Sequence, residues 1–187
     1  MGYIFEPGIL QQIARDAVAK NLPVEEMVSF IAGELTRRYP GHINTTPVWV
    51  FNNAGGAMGA MYILHSSLTE YVMIFGTPLG TEGHTGRFRA DDYFIILSGE
   101  QWAFKPGQFC REVYRPGDMH HLRRREAKQY KMPEGCWALE YARGIIPSMM
   151  AFGLADTFTS TLDFYSLMRT LRIYTRSVVR ELLRGKI

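Results

Sequence analysis

The stretches TEYVMIFG (69–76) and DYFIILSG (92–99) decide the fold. Each packs aromatic and β-branched residues into a run of strand length and closes on glycine, the composition of a strand ending in a turn. Working outward, PVWVF (47–51), AMYILH (60–65), QWAF (101–104), REVYRPGD (111–118), AKQYKMP (127–133) and CWALEYA (136–142) repeat that texture from Pro47 to about Tyr141. Many short strands without intervening helices predict a small barrel or sandwich. NNAGGAMGA (52–60) is the most permissive segment, suited to a tight turn or a close approach to a neighbouring strand.

Helical spacing flanks this region on both sides. Pro7 suits a first helical position, and Leu10, Ile13, Ala14 and Ala17 follow on one face. After Pro23 a second stripe, Met27, Phe30, Ile31 and Leu35, runs to Arg37 and Arg38, which suit a helix C-terminus before Pro40. Beyond Pro147, SMMAFGLADTF (148–158) and then STLDFYSLMRTLRIYTRSVVRELLRGKI (160–187) read as helices. In the latter, Arg169, Arg172, Arg176, Arg180 and Arg184 fill an arc of about 120°. Leu167, Met168, Leu171, Tyr174, Val178 and Leu182 fall opposite. Such a helix either packs on the barrel or lies in a membrane interface. The expected organisation is one α+β domain over 1–187: helices at about 7–38, strands at about 47–144 and C-terminal helices at about 147–185.

Composition narrows the function. The 187 residues are 47% hydrophobic and 21% charged, which fits one folded domain rather than a disordered chain. The net charge of +3 resides wholly in residues 148–187; the first 147 residues balance at 15 basic against 15 acidic. A neutral body argues against nucleic-acid binding, which requires a clustered basic surface. Cys110 and Cys136 form no CxxC motif and read as two thiols. No apolar run reaches 18 residues, and Met1 opens onto GYIFEP without a signal-peptide pattern, so the sequence as written predicts no membrane span.

Among chemically capable residues, Glu140 comes first, because alternation places Ala138, Glu140 and Ala142 on one strand face. Facing inward, it would be a desolvated acid with a raised pKa; facing outward, it would pair with an arginine. Asp92, Phe94 and Ile96 share one face and Asp91, Tyr93 and Ile95 the other, so one aspartate points inward unless both serve strand-start turns. His120 and His121 project oppositely and cannot jointly ligate one interior ion, and no metal motif is present. His84 lies in GTEGHTG (80–86), which lacks the lysine and following helix of a phosphate loop. What remains is a set of carboxylates in an aromatic and methionine-rich interior, suited to proton transfer on, or amine binding to, an apolar molecule.

FNNAGGAMGAMYILHSSLTEYVMIFGTPLGTEGHTGRF (51–88), ADDYFIILSG (90–99), YRPGDMHHL (114–122), AKQYKMP, ALEYARGIIPS (138–148) and DTFTSTLDFYSLMRTL (156–171) together resemble the family of fungal C-8 sterol isomerases and the sigma-1 receptor. HHL and AKQYKMP look like the isomerase branch. The resemblance implies a cupin-like β-barrel with flanking helices, two amphipathic C-terminal helices lying on the endoplasmic reticulum membrane, and a homotrimer. It also implies an N-terminal membrane anchor in full-length members, expected to be missing from this chain.

For chemistry, the resemblance implies a sterol Δ8 to Δ7 isomerase that needs neither metal nor redox cofactor, or a non-enzymatic, sigma-1-receptor-like binder of cationic amphiphilic amines or sterols. Glu140 matches the family's amine-pairing acid. The receptor's second acid falls on Phe94, and Asp92, two residues away on the same face, is the expected replacement. The two are expected to share one proton and to be the catalytic residues. Carried over as pocket positions are Met61, Ile63, Tyr71, Phe75, Thr85, Phe88, His120, Tyr130, Met132, Ile146, Met149, Met150 and Tyr174. These are nearly all apolar or aromatic, as a sterol-sized cavity requires.

Overall fold

A computed structural model describes residues 2–186. Helices α1 (Pro7–Ala19) and α2 (Val24–Arg38) lead into ten strands: β1 (Trp49–Ala54), β2 (Ala57–Ser66), β3 (Glu70–Thr77), β4 (Thr81–His84), β5 (Ala90–Ser98), β6 (Gln101–Phe104), β7 (Glu112–Tyr114), β8 (Met119–Leu122), β9 (Gln129–Met132) and β10 (Cys136–Gly144). Helix α3 (Pro147–Asp156), a π-helical turn (Thr157–Thr161) and helix α4 (Phe164–Leu183) complete the chain. The strands form two antiparallel sheets, one in the order β1-β2-β3-β10-β5-β8 and one in the order β4-β9-β6-β7. This is the expected α+β, cupin-like architecture, built as two sheets.

The deciding stretches became the central strands β3 and β5, on either side of β10. They read as almost continuous apolar runs because both faces of the large sheet are covered. Tyr93, Ile95, Leu97, Leu139 and Tyr141 pack outward against Leu10, Ile13 and Ala17 of α1 and Ile31 and Leu35 of α2. Phe94, Ile96, Met73, Phe75, Ala138 and Met61 point inward and form a second cluster. Outward-facing core and inward-facing wall thus alternate along each strand, which fixes the register firmly.

Gly55 and Gly56, at φ of 64° and 85°, make the two-residue turn that joins β1 to β2. Positive φ at both positions suits the twist of a tight hairpin. Gly59 answers the second expectation for this segment, since a Cβ there would stand 2.7 Å from the Phe75 ring. GTEGHTG contains β4, with Gly80 and Gly86 at positive φ on either side.

The last helix starts later than its apolar period suggests. Leu162 takes a left-handed conformation, and the Asp163 carboxylate accepts the Ser166 N–H at 3.0 Å, capping α4. α4 buries Leu167, Ser177, Val178 and Glu181, while Met168 and Leu182, expected on its covered side, stay exposed. Apolar residues are therefore left over on its surface after packing. Glu181 is fully buried, with Arg180, Arg184 and the His42 ring on its carboxylate. Glu70, also fully buried, accepts the Ile4 N–H and pairs with Lys186, tying both ends of the chain to β3. Cys110 and Cys136 are free thiols.

Candidate active site

The inner face of the large sheet is laid out in rows by strand register. One row runs His120, Phe94, Glu140, Met73, Ile63 across β8, β5, β10, β3 and β2. The next runs Leu122, Asp92, Ala142, Tyr71, Ser66. Ala142, fully buried, projects only a methyl group between Asp92 and Tyr71, and those two side chains line the cavity beside Glu140. Above this floor lies a cavity of about 200 Å³, so the interior is not filled by side chains.

Twelve of the thirteen carried-over pocket positions line this cavity. Met61, Ile63, Tyr71 and Phe75 come from β2 and β3, His120 from β8 and Tyr130 from β9. Thr85 and Phe88 follow β4, and Ile146, Met149, Met150 and Tyr174 come from the C-terminal helices and their approach. Met132 is the exception. It is fully buried in the inward cluster, packed between the sheets rather than on the cavity wall. Gln101, Leu122, His84 and Phe152 also line the cavity, and the sequence reading did not place them there.

Glu140 faces inward and is 8% exposed, which removes the solvent-facing alternative. Its Oε1 accepts a hydrogen bond from the Tyr71 hydroxyl. Burial pushes Glu140 from an ordinary 4.5 up to about 7, against the pull of that hydrogen bond, which favours the carboxylate. Asp92 is pushed well upward, first by desolvation and then by the neighbouring Glu140 charge. Its Oδ1 is buried without a protein partner. Desolvation and both carboxylates drive the Tyr71 hydroxyl up as well, so it remains a donor.

A proton held directly between the two acids is not what the strands provide. Glu140 stands opposite Phe94, and Asp92 stands opposite Ala142, so the acids are diagonal neighbours. Diagonal cross-strand positions lie about 7–8 Å apart, and long side chains interact across them. Among the described residues no hydrogen bond joins the two carboxyls; Tyr71 occupies Glu140 instead. They interact through charge, so ionising one opposes ionising the other.

Asp91 takes the opposite face, binding Arg124 at 2.8 Å. His120 and His121 diverge as expected: His121 stacks on Tyr93 outside, and His120 enters the cavity wall. His84 accepts the Gly86 N–H at 2.9 Å. Among the described residues one group could hold a metal ion, His42, His65 and Glu181, whose donor atoms lie within 4.8 Å of one another. None of the three lines the cavity, and two arginines already share the Glu181 carboxylate.

The two-sheet fold and the largely apolar cavity with its two desolvated carboxyls define a cupin-like protein with an acidic site in a hydrophobic interior. The chain belongs to the family described as ERG2 and Sigma1 receptor like protein, whose model matches residues 1–186. It is 59% identical to the C-8 sterol isomerase erg2 of Aspergillus fumigatus, over 98% of this chain and 78% of that protein. It is 44% identical to the sigma non-opioid intracellular receptor 1 of Gallus gallus, over 96% of this chain and 81% of the receptor. Among solved structures, a cupin superfamily protein from Desulfitobacterium hafniense aligns with 44% of this chain and 74% of its own, at 15% identity and a TM-score of 0.40.

Proposed function

We propose that the protein is a C-8 sterol isomerase, moving a ring double bond from C8=C9 to C7=C8. The observation that carries this reading is the pair of coupled, desolvated carboxyls, Glu140 and Asp92, in an otherwise apolar cavity. Names of relatives at 53–59% identity agree with it.

The reaction adds a proton at C9, passes through a tertiary cation at C8 and removes a proton from C7. The two acids have unequal environments, and this assigns their roles. Asp92, desolvated, opposed further by the Glu140 charge and with an unpartnered oxygen, holds the proton and delivers it to C9. Glu140, whose ionised form the Tyr71 hydroxyl stabilises, faces the C8 cation as a carboxylate and takes the C7 proton. One proton enters the substrate and one leaves it, so the pair needs only a proton exchange with water to reset.

The working site also includes a membrane. Phe158, Leu162, Phe164, Tyr165 and Met168 are each at least half exposed around the turn between α3 and α4, and the α4 arginines lie nearby in sequence. That combination supports docking on an anionic bilayer of the endoplasmic reticulum, from which an apolar substrate enters. Among the described residues no helix is long and apolar enough to cross a membrane. The family resemblance extends the proposal to a homotrimer, and exposed Trp49, Phe51 and Met58 on the β1–β2 edge support it.

A second reading, a non-catalytic receptor for cationic amphiphilic amines, is favoured by the carboxylate in an apolar cavity, which suits an ammonium ion as well as a carbocation. Incubating the purified protein with a Δ8 sterol in heavy water separates the two. The isomerase yields Δ7 sterol carrying deuterium at C9, whereas amine binding with neither product nor label establishes the receptor.

A further inference from the structure

Three residues that line the cavity each carry a buried polar atom without a protein partner: Asp92 Oδ1, His120 Nε2 and the Tyr174 hydroxyl. Asp92 belongs to the proton chemistry, and among the described residues no hydrogen bond orients the Tyr174 hydroxyl. His120 differs, because its ring is held from two sides. Nδ1 lies 2.7 Å from Gln101 Oε1, so Nδ1 carries the hydrogen and donates it. The Tyr114 ring stacks on the imidazole at 4.4 Å between centroids. Behind it the Lys128 ammonium, itself 5% exposed, is bonded to Glu112, which also accepts the Tyr114 hydroxyl. Nε2 is thereby fixed as a bare lone pair in a dry place, and a buried acceptor with no donor is costly until something donates to it.

We propose that His120 Nε2, oriented by Gln101, is the anchor for the substrate's ring hydroxyl and sets the sterol's direction in the cavity. The proposal rests on the sterol reading above and adds to it the group that selects an alcohol. His120, Phe94 and Glu140 are in register on three adjacent strands, which places His120 and Glu140 about 10 Å apart at the backbone. Both residues line the cavity, and a span of that order is one that two fused rings with a hydroxyl cross. A tetracycle with C8 beside Glu140 therefore carries its ring A hydroxyl to the β8 side, where His120 accepts its proton. Burial, reinforced by the Lys128 charge, lowers His120 to about 3, so the ring stays a neutral acceptor in the physiological range. A neutral acceptor favours a hydroxyl donor over a ketone, which has no proton to offer.

The test is calorimetric titration of the full chain with three unreactive saturated sterols delivered from cyclodextrin: the 3β-hydroxyl compound, its 3-deoxy counterpart and the 3-ketone. In the native protein the deoxy and keto compounds bind about tenfold to hundredfold more weakly than the alcohol. In His120→Leu the alcohol loses its advantage over the deoxy compound; comparing the two proteins cancels the different water solubilities of the ligands. Gln101→Glu supplies a carboxylate to Nδ1–H, protonates the ring and turns Nε2 into a donor, so preference passes to the ketone. This second variant carries the test if the leucine variant does not fold. Equal native affinity for alcohol and deoxy sterol, or discrimination that survives in His120→Leu, overturns the anchor. Turnover of a Δ8 sterol is read separately: selective binding without conversion defeats the isomerase reading and leaves the anchor standing, and failure of every sterol to bind defeats both.

Discussion

Asp92 and Glu140 are diagonal neighbours across β5 and β10, with only the Ala142 methyl group filling the position opposite Asp92. That small residue is itself fully buried, so the side chains of the site pack over its methyl group. Ala142→Leu overpacks this point and pushes the acids and Tyr71 out of place, at a cost of about 1–3 kcal/mol. Sterol turnover falls at least about tenfold in protein that still melts cooperatively, as conversion assays beside thermal melts will show.

Neutral isosteres remove the proton chemistry while keeping the cavity's shape. Asp92→Asn and Glu140→Gln each lower the rate of Δ8 to Δ7 conversion by about 10²–10⁴, the usual contribution of a positioned acid or base. Sterol affinity stays within a few-fold of native. Full activity in either variant removes that residue's role.

The pH profile follows from which acid must be ionised. With Glu140 near 7, conversion rises as pH increases through that value, and it declines once Asp92, whose pKa burial and the Glu140 charge push well upward, loses its proton. These limbs belong to the coupled pair rather than to single residues. Tyr71→Phe removes the hydrogen bond that favours the Glu140 carboxylate, raising its pKa further and moving the acidic limb to higher pH. A shift of the alkaline limb instead would exchange the roles of the two acids.

The same burial has a stability cost. Glu140 binds its proton more tightly folded, at about 7, than its ordinary 4.5. Its contribution to stability is therefore fully present below about 4.5 and is lost as pH rises to about 7, on the order of 3 kcal/mol in all. Glu140→Gln should melt higher than the native protein at pH 8 and no higher at pH 4. An identical melting difference at both pH values would show that burial of this charge is not what destabilises the site.

Membrane docking is tested by flotation with anionic vesicles. The native chain co-floats, and the double variant Phe158→Asp, Met168→Asp does not, with its fold intact because both side chains are exposed. Retention of the variant on vesicles would move the docking surface elsewhere.

The strand texture from Pro47 to about Tyr141 was legible, and alternation sorted the residues of β5, β8 and β10 into two faces without saying which face turns inward. Glu140, Asp92 and Asp91 project as the period of two requires. The diagonal offset of the acids was not legible, because it depends on how β5 and β10 align, which no single strand encodes. Gln101 and His65 carried no signal, since each matters only through a partner distant in sequence, His120 for the first and the His42 carbonyl for the second. Met132 was misplaced for a similar reason: resemblance fixes which strand a residue occupies, while local packing between the sheets decides whether it reaches open space. The burial of Glu181 carried no signal either, since only docking of α4 on the body covers it.

Because the large sheet is covered on both faces, odd and even positions of β5 answer to different pressures. A saturation scan of residues 92–97 should give a sawtooth. Changes at Tyr93, Ile95 and Leu97 reduce the yield of folded protein, whereas changes at Asp92 and Phe94, which line the cavity, alter which molecules are accepted or transformed. One strand thus offers two nearly independent dials, and breeding new substrate preferences can proceed on the even positions while the odd ones are left alone.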